Sequence, residues 1–273
     1  MKIPVLTYHS MNIHGNDYHN NDHIALMQDL QQIHSMGKQV VPLIWIAKWL
    51  LGEWDHPSLA QAVAISCDDG SWFDYYDMTH PSFGVQKSFF NLLVDFKKML
   101  PLDQRTYFQA TAFVIASPAA RSELDQKCMI GKGWWSDEWW ASAHNSQLMA
   151  INNHSWDHNH PQLDVVCQRE QKKGAFHYID TYEDGYAQIV VASHTIAEKI
   201  AQPPKLFAYP YGETSDYLVE EFFPNHSDIH QLLAAFSTEP RVVTKESNIW
   251  KLPRYVCGRD WKSSLELKAI LAE

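Results

Sequence analysis

Short apolar runs alternate with amphipathic stretches from one end of the chain to the other, and this alternation restricts the possible folds more than any other feature. Residues 4–8 read as a short buried strand. Residues 23–36 place Ile24, Met27, Leu30, Ile33 and Met36 on one helical face, closed by Gly37. A strand over 40–43, a helix over 44–51 and a strand over 63–66 complete a β-α-β-α-β order. Beyond it the pattern predicts strands over 110–115, 148–152 and 205–209 and helices over 137–143 and 186–200. Residues 222–233 are mixed, 241–244 and 252–256 are extended, and a last helix covers 264–271. Strands separated by helices need crossover connections and therefore lie parallel, in a sheet or barrel whose chemistry gathers at the strand C-terminal ends. No internal repeat or Pro/Gly/Ser linker divides the chain, which predicts a single domain over 1–273. Two stretches, 73–105 and 160–183, read as irregular and exceed the usual length of a connection, as functional loops often do.

Of the 273 residues, 45% are hydrophobic, enough for one large α/β core. Thirty-two acidic residues against 22 basic ones give a formal charge of −10, which argues against nucleic acid or anionic membrane as the main partner. No stretch approaches the ~18 apolar residues of a membrane span, and the first residues are too short and polar a segment for a secretory signal. The expectation is a cytoplasmic protein as the chain stands, or an extracytoplasmic one if a signal was removed ahead of Met1. Cys67, Cys128, Cys167 and Cys257 show no Cys-x-x-Cys spacing and read as free thiols in or near the core. The 11 tryptophans and 12 tyrosines supply large amphipathic rings, which line sugar and protein contact surfaces as well as cores.

The apolar run Ala62-Val63-Ala64-Ile65 leads into Ser66-Cys67-Asp68-Asp69-Gly70. Two adjacent carboxylates at the end of a buried strand are costly to desolvate and repel each other, so stability alone does not select them. A bound cation offsets that cost; the plain alternative is an Asp-Asp-Gly turn ending a hairpin strand. Histidines at i, i+4 can present two imidazoles to one cation, and three such pairs occur: His19/His23, His154/His158 and His226/His230. Chance alone supplies about one. His154 follows the apolar strand over 148–152, as Asp69 follows its own strand. His19/His23 sits ahead of a helix, where solvated first-turn residues are expected, and His226/His230 follows Phe-Phe-Pro-Asn in a loop entering a helix. His154 and His158 are therefore the favoured pair, with one carboxylate of Asp68-Asp69 as the third ligand. One carboxylate and two imidazoles leave an open position, as in catalytic zinc sites, with the adjacent second carboxylate placed to take a proton from water.

In that order, Asp68-Asp69-Gly70, His154-Ser155-Trp156-Asp157-His158 and Phe207-Ala208-Tyr209-Pro210-Tyr211-Gly212 resemble the first three signature motifs of the polysaccharide deacetylases with a NodB-homology domain, carbohydrate esterase family 4. Thr111-Ala112-Phe113-Val114 is similar to the strand that follows the first motif there. The resemblance spans nearly the whole chain. It implies a distorted (β/α)₇ barrel that removes N-acetyl groups from amino sugars with a divalent metal, zinc by default, though cobalt, nickel or iron suit the same ligands. It further implies Asp68 as general base, Asp69, His154 and His158 as metal ligands, and the Tyr211 backbone N–H as oxyanion donor.

Two positions depart from the family pattern. The Arg that often precedes the Pro-Tyr is absent at Ala208-Tyr209; Arg254 is the candidate replacement, with a surface Arg as the alternative. The C-terminal Leu-x-His that usually carries the general acid is absent too. Val5-Leu6-Thr7-Tyr8-His9 is similar to the opening of the circularly permuted poly-N-acetylglucosamine deacetylases, where that His lies near the N-terminus, which makes His9 the candidate acid and a buried structural His the alternative. Trp134, Trp135, Trp139 and Trp140 are candidates to wall a sugar cleft, with packing accounting for at least two of them. The implied partner is an N-acetylated carbohydrate. An allantoinase-like hydrolase of a small amide or ureide, and a carbohydrate-binding relative without turnover, are the alternatives.

Overall fold

A computed structural model describes residues 1–167 and 173–273. Its strands are β1 (Val5–His9), β2 (Gln39–Val40), β3 (Ala62–Asp68), β4 (Met78–His80), β5 (Gly84–Gln86), β6 (Ala110–Val114), β7 (Met149–Asn153), β8 (Leu206–Ala208), β9 (Ala234–Phe236) and β10 (Tyr255–Val256). Seven form one curled parallel sheet in the order β10-β1-β3-β6-β7-β8-β9, with β2 added beside β3. This is the distorted (β/α)₇ barrel of the NodB type. The parallel setting of β3 between β1 and β6 excludes a hairpin turn at Asp68-Asp69.

The two-residue period of the strands sorts their side chains onto two faces. Leu6, Tyr8, Val63, Ile65, Cys67, Ala112 and Val114 pack with residues of the helices α1 (Asp22–Ser35) and α3 (Phe89–Met99). Val5, Ala64, Phe113, Ala208 and Phe236 form the inner cluster with Leu43 and Ile46 of α2 (Leu43–Leu51). Continuing along the inner face, Ser66 and Asp68 follow Ala64, and Thr7 and His9 follow Val5. Thr7 and Ser66 share a buried hydrogen bond of 2.8 Å there.

One stretch near the C-terminus ties the two ends of the sheet. Ala235 donates its N–H to the Ile249 carbonyl and Leu252 donates to the Ala235 carbonyl, both alongside β9; then Tyr255 and Val256 pair with Leu6 and Thr7 of β1. Arg254 lies between these two attachments.

Several expectations need correction. The stretch 73–105 is not irregular: it holds the antiparallel β4/β5 pair and α3, which begins with the Ser88 side chain accepting from Asn91 N–H. Pro118–Cys128 is a helix capped by Ser117 that the pattern did not reveal, because its apolar face is weak. The mixed reading over 222–233 stopped short of β9, a strand of three residues and too short for a periodicity to show. Residues 241–244 contribute a single antiparallel bridge, Val243 with Ile3, rather than a strand. The helix expected over 137–143 is Trp140–Asn145, and that over 186–200 opens with a π-turn at Tyr186–Val190. Two of the cysteines, Cys67 and Cys257, are core residues, whereas Cys128 and Cys167 are exposed. Of the 160–183 stretch, residues 168–172 lie outside the described residues. Among the described residues no helix is long and apolar enough to cross a membrane.

Phe236 is fully buried on β9 and faces Phe113 across the interior at 6.0 Å. Phe236→Ala is expected to cost about 3–5 kcal/mol, read as a lower urea midpoint with an unchanged slope.

Candidate active site

The C-terminal ends of the parallel strands converge on a cavity of about 330 Å³ lined by His9, Asp68, Asp69, His154, His158 and Tyr211. Each reaches it for a local reason. Asp68 ends β3 on the inner face, where Arg254 is buried with it. The guanidinium donates to both carboxylate oxygens, Nη1 to Oδ1 at 2.7 Å and Nη2 to Oδ2 at 2.8 Å. Arg254 itself is anchored by Nε to the Ser237 carbonyl at 3.0 Å and by Nη1 to Ser66 Oγ at 3.2 Å. Burial acts to raise the Asp68 carboxyl, but the charges of Arg254 and His154 outweigh it and hold the group below the usual carboxylate range. Arg254 is thus not a surface residue.

Asp69 turns away from its neighbour because its backbone adopts φ 80°, in the left-handed region that non-glycine residues avoid. The next residue, Gly70, also has φ 80°, and a Cβ there would lie 2.6 Å from Val114 Cγ1, so only glycine fits. The Asp69 carbonyl accepts from the Trp135 indole N–H at 3.0 Å. The Trp135 carbonyl in turn accepts from Arg121 Nη1 at 2.7 Å, and Arg121 is paired with Asp137. This chain of contacts holds the turn from outside the sheet.

His154 leaves the end of β7, its N–H bonded to the Val114 carbonyl at 3.0 Å. Its Nδ1 lies 2.9 Å from the Ala208 carbonyl, which can only accept, so Nδ1 carries the proton and Nε2 turns to Asp69 Oδ1 at 3.5 Å. His158 Nε2 lies 3.7 Å from the same oxygen, and its ring packs edge-on against Tyr211 at 4.5 Å. Burial, and then the neighbouring His154, push His158 down to about 3, so this imidazole is neutral with a free lone pair. Burial raises Asp69 as well, but His154, His9 and His158 prevail and keep it ionised. Asp74 is fully buried, and burial together with the charges of Asp69 and Asp68 raises its carboxyl well above the ordinary range, so it adds no third charge.

The ligating atoms of Asp69, His154 and His158 lie within 4.8 Å of one another. An anionic oxygen with two imidazole nitrogens is a donor set that a divalent transition cation accepts, the cation displacing any proton from His154, and the Nδ1–H of His154 on the Ala208 carbonyl matches the orientation metal-bound histidines require. The group fits.

His9 ends β1 directly opposite Asp68 in register. Its N–H donates to Asp22 Oδ2 at 2.8 Å, and its buried Nδ1 has no hydrogen-bond partner among the described residues. Tyr211 occupies a tight turn, Pro210–Gly212, at φ 59°. A Cβ on Gly212 would meet Thr238 Oγ1 at 1.9 Å, so the turn is pressed against the loop after β9.

The other histidine pairs have structural settings. His230 is buried, with Nδ1 accepting from Leu232 N–H at 2.9 Å and Nε2 against the Phe223 carbonyl at 3.0 Å, so neither nitrogen is available. His23 is buried rather than solvated, with ring nitrogens 2.8 Å from the Lys87 and Ser10 carbonyls. Trp139 and Trp140 are core residues, while Trp135 borders the cavity. Sequence reasoning missed the support that Trp135, Arg121 and Ser66 give to the site. Their partners are distant in the chain, and no local spacing announces them.

A model of the polysaccharide deacetylase family matches residues 56–222, more than half of the chain, and the chain belongs to that family. The fold is shared with IcaB from Ammonifex degensii at 17% identity and a TM-score of 0.66, over 100% of this chain and 97% of that one. It is shared with the Streptococcus pyogenes deacetylase PplD, solved in complex with acetate, at 15% identity and a TM-score of 0.63, over 99% and 98% of the two chains. The deacetylase domain of BpsB from Bordetella bronchiseptica is similar at 14% identity and a TM-score of 0.63, over 94% and 96%. No curated protein matches the chain.

Trp135→Phe keeps an aromatic ring but removes the fused pyrrole and with it the N–H that holds the Asp69 carbonyl. Titration of Co²⁺ into the metal-free variant is expected to show affinity weakened about tenfold, with stability to urea lowered by about 1 kcal/mol for the hydrogen bond and a further cost of about 1–3 kcal/mol for the volume lost from the cluster around Trp135.

Proposed function

We propose that this protein hydrolyses the N-acetyl amide of an amino sugar in a polysaccharide or oligosaccharide, releasing acetate, with the help of a divalent metal. The observation that carries the reading is the division of labour between adjacent carboxylates. Asp68 is committed to Arg254, and Asp69 to the two histidines, around one cavity. Asp69, His154 and His158 would hold the cation, which when bound supplies positive charge to polarise the amide carbonyl and to acidify water. Zinc is the default occupant.

Asp68 takes the proton from the attacking water. Arg254 uses one lone pair on each carboxylate oxygen, which leaves others to accept that proton, and it keeps the base ionised. The backbone N–H of Tyr211 donates to the oxygen on which negative charge develops. His9 returns a proton to the departing amine. His9 and Arg254 come from opposite ends of the chain, outside the residues matched to the family, so the whole of 1–273 acts as one domain in this reading.

Asp69→Ala is expected to lose the metal, read by elemental analysis, while Asp68→Asn retains it and loses hydrolysis of an N-acetylglucosamine oligomer. His9→Ala lowers turnover by a factor on the order of 10²–10⁴. Wild-type hydrolysis in both aspartate variants would refute the assignment.

The pH dependence tests the base. A base works deprotonated, so activity falls as pH drops through its pKa. Replacing Arg254 by Met leaves burial unopposed by the guanidinium and raises the Asp68 pKa, so the acid limb of kcat/KM moves to higher pH; Arg254→Lys partly restores it. An acid limb at the same pH in all three proteins would remove Asp68 from the role.

A further inference from the structure

Next to the catalytic cavity lies a second, more polar pocket of about 380 Å³, and the two share His9, Val256 and Arg259. We propose that this pocket is a binding subsite for the sugar unit adjoining the one that reacts, with Asn12, His14, His19, Asn20 and Arg259 as its contact residues. The proposal rests on the deacetylase reading for the identity of its ligand, and extends it by assigning where the rest of the chain lies.

The pocket is built rather than incidental. The segment joining β1 to α1 folds back on itself: Asn12 N–H donates to the His9 carbonyl at 2.9 Å, His14 N–H to the Asn20 carbonyl at 2.8 Å, and Ile13 bridges Asn21 in antiparallel fashion. Buried Asn21 clamps the fold, its Nδ2 donating to the Gly15 carbonyl at 3.0 Å and to Gln86 Oε1 at 2.8 Å. His14 and His19 are nevertheless exposed on this fixed backbone. Contact groups held in place before the ligand arrives bind at lower entropic cost.

The chemistry favours a neutral, hydroxyl-rich ligand. Arg259 already pairs with Asp260, Nε to Oδ1 at 2.9 Å and Nη2 to Oδ2 at 2.7 Å, and its Nη1 reaches Thr238 Oγ1 at 3.0 Å. Its charge is therefore compensated, and the guanidinium offers a flat surface. The Asp22 carboxylate at the base is engaged by the His9 N–H. What remains are side-chain amides and imidazoles, which donate to and accept from hydroxyl and acetamido groups. Every contact residue lies outside 56–222, so the pocket belongs to parts of the chain that the family match does not describe.

The test compares wild type with the His14→Ala/His19→Ala double variant and with Arg259→Ala, using N-acetylglucosamine and its tetramer. The preference for length, kcat/KM on the tetramer divided by that on the single sugar, is expected to fall about tenfold in the variants, equivalent to ~1.4 kcal/mol of lost binding. An unchanged ratio overturns the subsite. Calorimetric titration with the tetramer gives a readout independent of turnover: the Kd rises about tenfold in the double variant if the subsite exists, and an equal Kd, or no tetramer binding by wild type, overturns it. Wild type that binds the tetramer more tightly than the single sugar, loses that advantage in the variants and yet releases no acetate supports the subsite and refutes the deacetylase reading.

Discussion

The buried pair of Arg254 and Asp68 is the constraint on which the rest of the structure depends. Arg254 sits on the segment that joins the last strand of the sheet to the first, and its guanidinium reaches across the interior to the end of β3. The pair therefore links closure of the barrel to the position of the carboxylate. Removing either partner from such a pair strands an uncompensated buried charge, at a cost of about 3–5 kcal/mol. The hydrogen bonds to Ser66 and Ser237 make the arrangement tolerable by satisfying two of the three remaining donors. With Asp68 neutralised in place, Asp69 can be directed at the histidines a residue later.

That redirection has a conformational cost, and the cost is concentrated at one rim. Of the eight non-glycine residues with positive φ among those described, Asp69, Ser155, His158, Asn159 and Tyr211 belong to the loops that carry the site. Left-handed backbone at such positions persists only where surroundings over-determine it. Here they do: Trp135 holds the Asp69 carbonyl, Asn153 Oδ1 accepts from Ser155 N–H, Ser155 Oγ accepts from His158 N–H, and Asp157 accepts from Asn159 N–H. The strand ends supply rigidity, and the side chains of the loops convert it into direction.

Much of this was legible in the sequence, for reasons that differ from element to element. Residues 23–36 and 264–271 announced their helices because periodicity and caps are local. The parallel sheet followed from alternation, since parallel strands need crossovers. The motifs around Asp68, His154 and Tyr211 carried the family resemblance. By contrast α3 was hidden by its own aromatic density although Ser88 marks its start, and β9 was too short to show a period. The solvated setting expected for His23 failed because two carbonyls from other elements close over it. The placement of Arg254 stood open between surface and interior.

By itself, then, the sequence determined the class of fold, the alternation of most of its strands with helices and the residue types available for chemistry, because those depend on patterns within a few residues of one another. Only the tertiary structure decided which of three histidine pairs faces Asp69, that Arg254 is buried against Asp68, that Trp135 braces the turn, and that a polar pocket adjoins His9. Each of these joins residues far apart in the chain, from Asp69 and Trp135 to His9 and Arg259. Their proximity is a consequence of barrel closure, and closure is set by packing and hydrogen bonding between strands rather than by the local character of any one.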